Sequence, residues 1–308
     1  MLALTSTTGK LGHATLSALL THSLLPPSQL IILTSTPLTS PKLTPYRDLG
    51  IQTRPFNFSS PSPSSFSGIT KLFLVSTPEI SLDFSDAAKG GRESVHIATI
   101  RTAISAGVKE IVYTSLAFGD ESEAGVMRAH LRTEEFLKSL KEKGEVEYTI
   151  IREGLYNESW PLYLGYFDVE GRDERSEIVV AGDGKVSWTG IADLGVGNAV
   201  ILADGRGRWK GKTVVLCSGE KRSLREIAGV VGKCRGREVE VKVVGREEYV
   251  EEYVGRERER DAVEWWSSTY GALEKGECDI SDPTLEEILA EKGIGPKSVE
   301  ETVKEMLS

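Results

Sequence analysis

The chain of 308 residues is 39% hydrophobic and 27% charged, the usage of a soluble globular protein, which excludes a disordered chain and a membrane bundle. Subtracting 46 acids from 37 bases leaves a formal charge of -9, which argues against contacts along a nucleic-acid backbone. Four histidines and three scattered cysteines (Cys217, Cys234, Cys278) suggest neither a metal site nor a disulfide framework; with no signal-like N-terminus and no bilayer-length apolar run, the expectation is a cytoplasmic protein that stays off membranes.

Short apolar runs at residues 2–4, 30–33, 72–75, 111–113 and 148–151 alternate with stretches of helical periodicity, the pattern of repeated βαβ units. Leu16, Leu19 and Leu20 form one helical stripe, and Ile97, Ile100 and Ile104 another. A late strand is expected near 213–217. Asp193 reads as a helix N-cap, Ser223 with Glu226 and Ser298 with Glu301 as capping boxes, and Asp282 as an N-cap followed by Pro283 at the first helical position. Residues 247–266 place Tyr249, Val250, Tyr253 and Val254 on one side, and the charge run 256–260 reads as a solvated helix face. The fold class expected is therefore α/β. A Rossmann-like parallel sheet with helices on both faces fills 1–155 and takes the late strand. A smaller, mostly helical lobe over 156–308, interleaved with the sheet, holds Trp160, Trp188, Trp209, Trp265 and Trp266.

The turn Ser6-Thr7-Thr8-Gly9-Lys10-Leu11-Gly12 joins the first strand to the first helix with the spacing of G-x-x-G-x-x-G, its first glycine replaced by Ser6. Such a turn offers backbone N–H groups and a helix N-terminus to a pyrophosphate. Otherwise it is an ordinary tight turn. Ser6 can make the turn if its φ is negative, but its Cβ then sits near the phosphates. At the end of the second strand an acid favours NAD and an arginine NADP; Thr34, Ser35 and Thr36 are neither. Their hydroxyls suit a 2'-phosphate, with Lys42 or Arg47 to supply charge, so NADPH is the expected cofactor and NADH a possible one.

The turn together with Ala106-Gly-Val-Lys-Glu-Ile-Val-Tyr-Thr-Ser-Leu116, His130-Leu-Arg-Thr-Glu134, Tyr148-Thr-Ile-Ile-Arg-Glu-Gly-Leu-Tyr-Asn-Glu158 and Ala181-Gly-Asp-Gly-Lys185 resembles the NmrA-like atypical short-chain dehydrogenases, on their quinone- and triphenylmethane-reducing side. The resemblance covers nearly the whole chain in order. It implies that Ser76, Thr77, Pro78 and Glu79 line the cofactor, that Asn57 stands near the adenine, and that residues 153–159 approach the nicotinamide and substrate. Three positions depart from the family: Ser6, the missing arginine near Thr34, and Ser159 where an asparagine is usual. The Tyr-x-x-x-Lys dyad of ordinary short-chain dehydrogenases is also absent, because His130 stands at the lysine position and Val126 at the tyrosine position. His130 is then either half of a structural pair with Glu134 or a group that orients ribose or donates a proton.

Tyr156, Trp160, Tyr163 and Phe167 share one helical stripe, either a packed seam or the wall of a pocket for a planar apolar substrate. Trp188 is a further wall candidate. The expected function is an NAD(P)H-dependent reductase passing hydride to a quinone or other conjugated aromatic compound. Tyr156 and His130 are its candidate catalytic residues, and Tyr156, Trp160 and Trp188 its substrate contacts. The alternatives are a non-catalytic NAD(P)-sensing regulator and a cofactor-free binder of aromatic ligands.

Overall fold

The computed structural model describes residues 1–84, 90–255 and 258–308. In chain order the first part runs β1 (Leu2–Leu4), α1 (Lys10–Thr21), β2 (Leu30–Thr34), α2 (Thr44–Asp48), β3 (Gln52–Pro55), β4 (Lys71–Leu74), α3 (Arg92–Ser105), β5 (Glu110–Leu116), α4 (Gly125–Glu142) and β6 (Glu147–Glu153). It continues through α5 (Trp160–Tyr163), β7 (Glu177–Val180), β8 (Val186–Ser187), α6 (Ile191–Ala203), β9 (Lys212–Leu216), β10 (Lys221–Arg222), α7 (Leu224–Arg235) and β11 (Glu240–Val243). Helices α8 (Arg246–Tyr253), α9 (Arg260–Glu274), α10 (Thr284–Glu291) and α11 (Val299–Leu307) complete the chain.

Seven strands form one parallel sheet in the order β3-β2-β1-β4-β5-β6-β9, the doubly wound Rossmann arrangement. Its strands β1, β2 and β4 carry apolar runs because helices cover both faces, and every position along them but Lys71 is buried. Strand β3 carries no such signal. Gln52-Thr-Arg-Pro55 is polar and partly exposed because it closes the sheet edge, where a terminal proline is tolerated.

One face is sealed by α1, α6 and α10, which join β9 around Leu16, Leu19, Leu194, Leu216 and Leu285. Helices α1 and α6 approach closely: a Cβ on Gly195 would stand 2.6 Å from the backbone carbon of Ala14. The other face is built around Ile31, Leu72, Ile100, Ala103, Ile111 and Leu137. Helix α3 turns a largely polar face inward there, with Arg92, Glu93, His96 and Thr99 buried beside Ile100 and Ala103, while Ile97 and Ile104 are only half-buried.

The lobe has its own core, which corrects the pocket-wall reading. Trp160, Tyr163, Phe167 and Trp188 are at most 5% exposed and pack with Tyr249, Tyr253, Trp265, Trp266 and Tyr270. Tyr163 meets Trp188 and Trp266 edge to face, at centroid distances of 5.4 and 4.8 Å. Two small ribbons, β7 with β11 and β8 with β10, frame this core.

Both capping boxes form. Asp193 is not an N-cap: α6 starts from Gly190, and the Asp193 carboxylate instead accepts from the Lys297 N–H at 2.8 Å. Helix α10 begins at Thr284, one residue later than expected, and its N–H donates to the Asp282 carboxylate. Residues 256 and 257 of the charge run lie outside the described residues. The rest of the run separates α8 from α9 before Arg260 opens α9, so it is no continuous helix face.

Candidate functional site

The β1–α1 turn is prepared for an anion. Gly9 is the N-cap of α1 and no side chain caps it, so the first-turn N–H groups of Lys10, Leu11 and Gly12 sit unclaimed at the positive end of the helix. Gly12 lies against the turn, where a Cβ would stand 2.6 Å from the Ser6 carbonyl carbon. Only glycine lets α1 start this close to β1. Ser6 turns the chain at a φ of 55°, in the left-handed region, so the negative φ at which a serine makes such a turn without strain is not met.

Above this turn opens a pocket of about 370 Å³. Its walls are Ser6 with residues 8–12, residues 33–35 at the end of β2, residues 56–58 after β3, and residues 75–79 after β4. That places it beyond the carboxyl ends of β1 and β4, where the strand order changes direction. Lys10 is the one cation among the described lining residues. A second hollow of about 380 Å³ shares Thr34, Ser35, Phe56 and Asn57 and adds the hydroxyls of Thr36, Ser60, Ser62, Ser64 and Ser65. Lys42 and Arg47 line neither; Arg47 is held by the Leu38 carbonyl and by Thr44 Oγ1 at 2.9 Å. Thr7 is buried and does not line the pocket, and its Oγ1 has no partner.

The wall after β4 is anchored from three directions. Past Leu74 the ladder ends, and three successive N–H groups are caught by side chains: Val75 by Thr5 Oγ1 at 3.0 Å, Ser76 by Thr114 Oγ1 at 3.4 Å, and Thr77 by His96 Nε2 at 3.1 Å. Arg92 donates to Ser76 Oγ at 3.3 Å while its Nε is paired with Asp83 at 2.7 Å. Sequence reasoning missed Arg92 and His96. Their signal is a spacing of four on a helix whose apolar stripe is too thin to account for its buried face.

Beyond β6, Glu153 is fully buried and accepts from Tyr156 Oη and from Asn198 Nδ2, each at 2.8 Å. Burial pushes its carboxyl up to about 7, although both donors act to lower it. Tyr156 therefore spends its O–H on an interior carboxylate, and burial raises its own pKa far above the usual phenol value. His130 faces inward, its Nδ1 2.9 Å from Tyr113 Oη; burial and then the Arg92 charge keep it well below the ordinary imidazole range, hence neutral. The expected His130–Glu134 pair does not form. Glu134 instead binds Arg152 at 2.7 Å and accepts from Ser115 Oγ at 2.6 Å. Neither Tyr156 nor His130 lines the pocket, nor do Trp160 and Trp188. Among the described residues no group of three or more His, Cys, Asp or Glu is placed to hold a metal ion, and no helix is long and apolar enough to cross a membrane.

No family model matches the chain. Individual proteins do. An NmrA-like family domain-containing oxidoreductase of Aspergillus flavus is 30% identical over 260 residues, spanning 82% of this chain and 80% of the relative. The chain belongs to the NmrA-like family. A second relative of similar sequence is quinone oxidoreductase 2 of Escherichia coli, 30% identical over 247 residues and spanning 78% and 76% of the two chains. Among solved structures, the NADPH-dependent quinone oxidoreductase of Escherichia coli complexed with NADPH superposes with a TM-score of 0.81 at 25% identity, covering 100% of both chains. The triphenylmethane reductase of Citrobacter sp. complexed with NADP(H) superposes at 0.76, with 25% identity and 99% coverage of each. This NmrA-like chain thus shares its fold with two oxidoreductases whose structures hold NADPH or NADP(H).

Proposed function

We propose that this protein is an NADPH-dependent reductase that passes hydride to a quinone or other conjugated aromatic acceptor, with NADH as a weaker donor. The observation that carries the reading is the pocket at the switch point, floored by an uncapped helix start and closed by a glycine that no larger residue replaces. The shape fits the group: the amides of residues 10–12 take the pyrophosphate with Lys10 beside them. Phe56, Asn57 and Phe58 would flank the adenine, the hydroxyls of Thr34, Ser35 and Thr36 would receive the ribose, and residues 76–79 would line the way to the nicotinamide. When bound, the dinucleotide supplies the hydride. The protein's own part is to orient it and to exclude water from the contact. A quinone-type acceptor spreads the incoming charge over its ring, so solvent suffices to protonate it and no Tyr-Lys pair is required.

The test is oxidation of NADPH followed at its absorbance with a panel of simple quinones and triphenylmethane dyes. Steady turnover with at least one acceptor is expected; titratable NADPH binding with none turned over would remove the reductase reading. In that event the sensing reading takes its place. It has its own support: Ser6 bears a side chain where the phosphates pass, and the two candidate proton donors, Tyr156 and His130, are both engaged in the interior.

A further inference from the structure

The four-residue wall that follows β4 is held open for its ligand by a histidine outside the pocket. We propose that His96 is a positioning residue for the cofactor: its neutral ring, accepting the Thr77 N–H, fixes the 76–79 wall in the shape that receives the dinucleotide. The inference rests on the cofactor reading given above and adds a residue to it.

The ring is fully buried, and its two nitrogens are assigned by their neighbours. Thr133 Oγ1 donates to the Ala129 carbonyl at 2.8 Å, so it accepts from His96 Nδ1–H at 3.0 Å. Nε2 is then unprotonated and accepts from the Thr77 N–H at 3.1 Å, with Ser76 Oγ also within 3.3 Å. Both ends agree on one tautomer. Burial and the nearby Arg92 charge lower the ring's pKa to about 3, which keeps it in that form. Around it stand Arg92 and Asp83 from the same side, and Tyr113, His130 and Thr133 from β5 and α4. The ring's edge also meets Phe58, itself a pocket wall, at a centroid distance of 6.4 Å. One side chain therefore ties together two walls of the pocket, one from each half of the sheet. Without it the Thr77 N–H is orphaned, and the wall must shift to find another acceptor.

The experiment compares NADPH dissociation constants, read by fluorescence titration, for the wild type, His96→Phe and His96→Gln. Phe keeps the volume and loses the acceptor; Gln returns an acceptor oxygen. The expected result is a loss of about tenfold for His96→Phe, the worth of one buried hydrogen bond, with His96→Gln recovering most of it. The turnover number at saturating NADPH should change far less than the Michaelis constant for NADPH. A dissociation constant for His96→Phe within about threefold of wild type, or a His96→Gln no better than His96→Phe, overturns the proposal while leaving the cofactor reading intact. A wild type that takes up no NADPH removes both. Should His96→Phe fail to fold, imidazole ¹⁵N spectra of the wild type decide: the Nδ1–H tautomer at neutral pH supports the assignment, and an Nε2–H or doubly protonated ring defeats it.

Discussion

Ser6 holds a φ of 55° that an L-residue other than glycine adopts at a cost of about 1–2 kcal/mol. Part of that is recovered by the smaller chain entropy of serine in the unfolded state, so Ser6→Gly should stabilise the protein by about 0.5–1 kcal/mol, read as a higher urea midpoint. The same substitution clears the pocket floor and should tighten NADPH binding; an unchanged dissociation constant would show that the Ser6 side chain is no obstacle to the phosphates. Gly12 is the opposite case. A Cβ there meets backbone, which cannot move aside cheaply, so Gly12→Ala should cost about 1–3 kcal/mol and abolish titratable cofactor binding.

Glu153 makes a pH-dependent contribution at the same scale. Its carboxyl stands at about 7 in the fold, above the unfolded value near 4.3, so between those values the native state binds more protons and stability falls as pH rises. Below both values the two states are equally protonated and the effect vanishes. Replacement by Gln removes it: the stability of Glu153→Gln relative to wild type should climb between about pH 5 and pH 8 by about 3 kcal/mol, measured by urea unfolding at the two ends. A difference that stays flat with pH would mean that the carboxylate is ionised throughout.

Among elements, the tie between β6 and α4 is the most exposed to a single change. Arg152 is 8% exposed and rests on Glu134, which is 1% exposed, with Asp120 a solvent-side partner. Glu134→Ala removes the buried partner of the Arg152 guanidinium and leaves it the solvent-side Asp120, which should cost about 2–4 kcal/mol, a loss that thermal denaturation resolves easily. The elements also show what a sequence reveals. Strands β1, β2, β4, β5 and β6 were legible because parallel strands covered on both faces carry short apolar runs. Strand β3 was not, since an edge strand has no such requirement. The β1–α1 turn was legible through its glycines, and Thr8, Gly9, Lys10, Leu11 and Gly12 line one pocket with Thr34, Asn57 and residues 76–79. What failed was the orientation of single side chains. The stripe from Trp160 to Phe167 has one periodicity whether it faces a cavity or a core, and packing with α8 and α9 makes it core, while Tyr156 turns to the sheet-side cluster of α1 and α6. On α3 the hydrophobic pattern pointed to the three isoleucines and concealed the polar residues that anchor the pocket wall.

At the scale of the whole molecule, a ligand that binds only the folded chain must raise its melting temperature. NADPH at about a hundredfold excess over its dissociation constant should add about 2.7 kcal/mol, a shift of about 5 °C for a chain of this size. A thermal scan that shows no shift at millimolar NADPH would count against any dinucleotide function, catalytic or sensing. The charge of -9 has no visible part in this, for among the described residues that line the pocket Lys10 is the one cation.

The packing also sorts the three thiols. Cys234 is exposed on α7, whereas Cys217 follows β9 at the edge of the sheet and Cys278 sits in the core of the lobe, both buried. Burial raises the Cys217 thiol to about 11 and that of Cys278 further. A thiol reagent will therefore label the native protein once, quickly. The two slower reactions then act as separate clocks, one timing the opening of the sheet and the other that of the lobe.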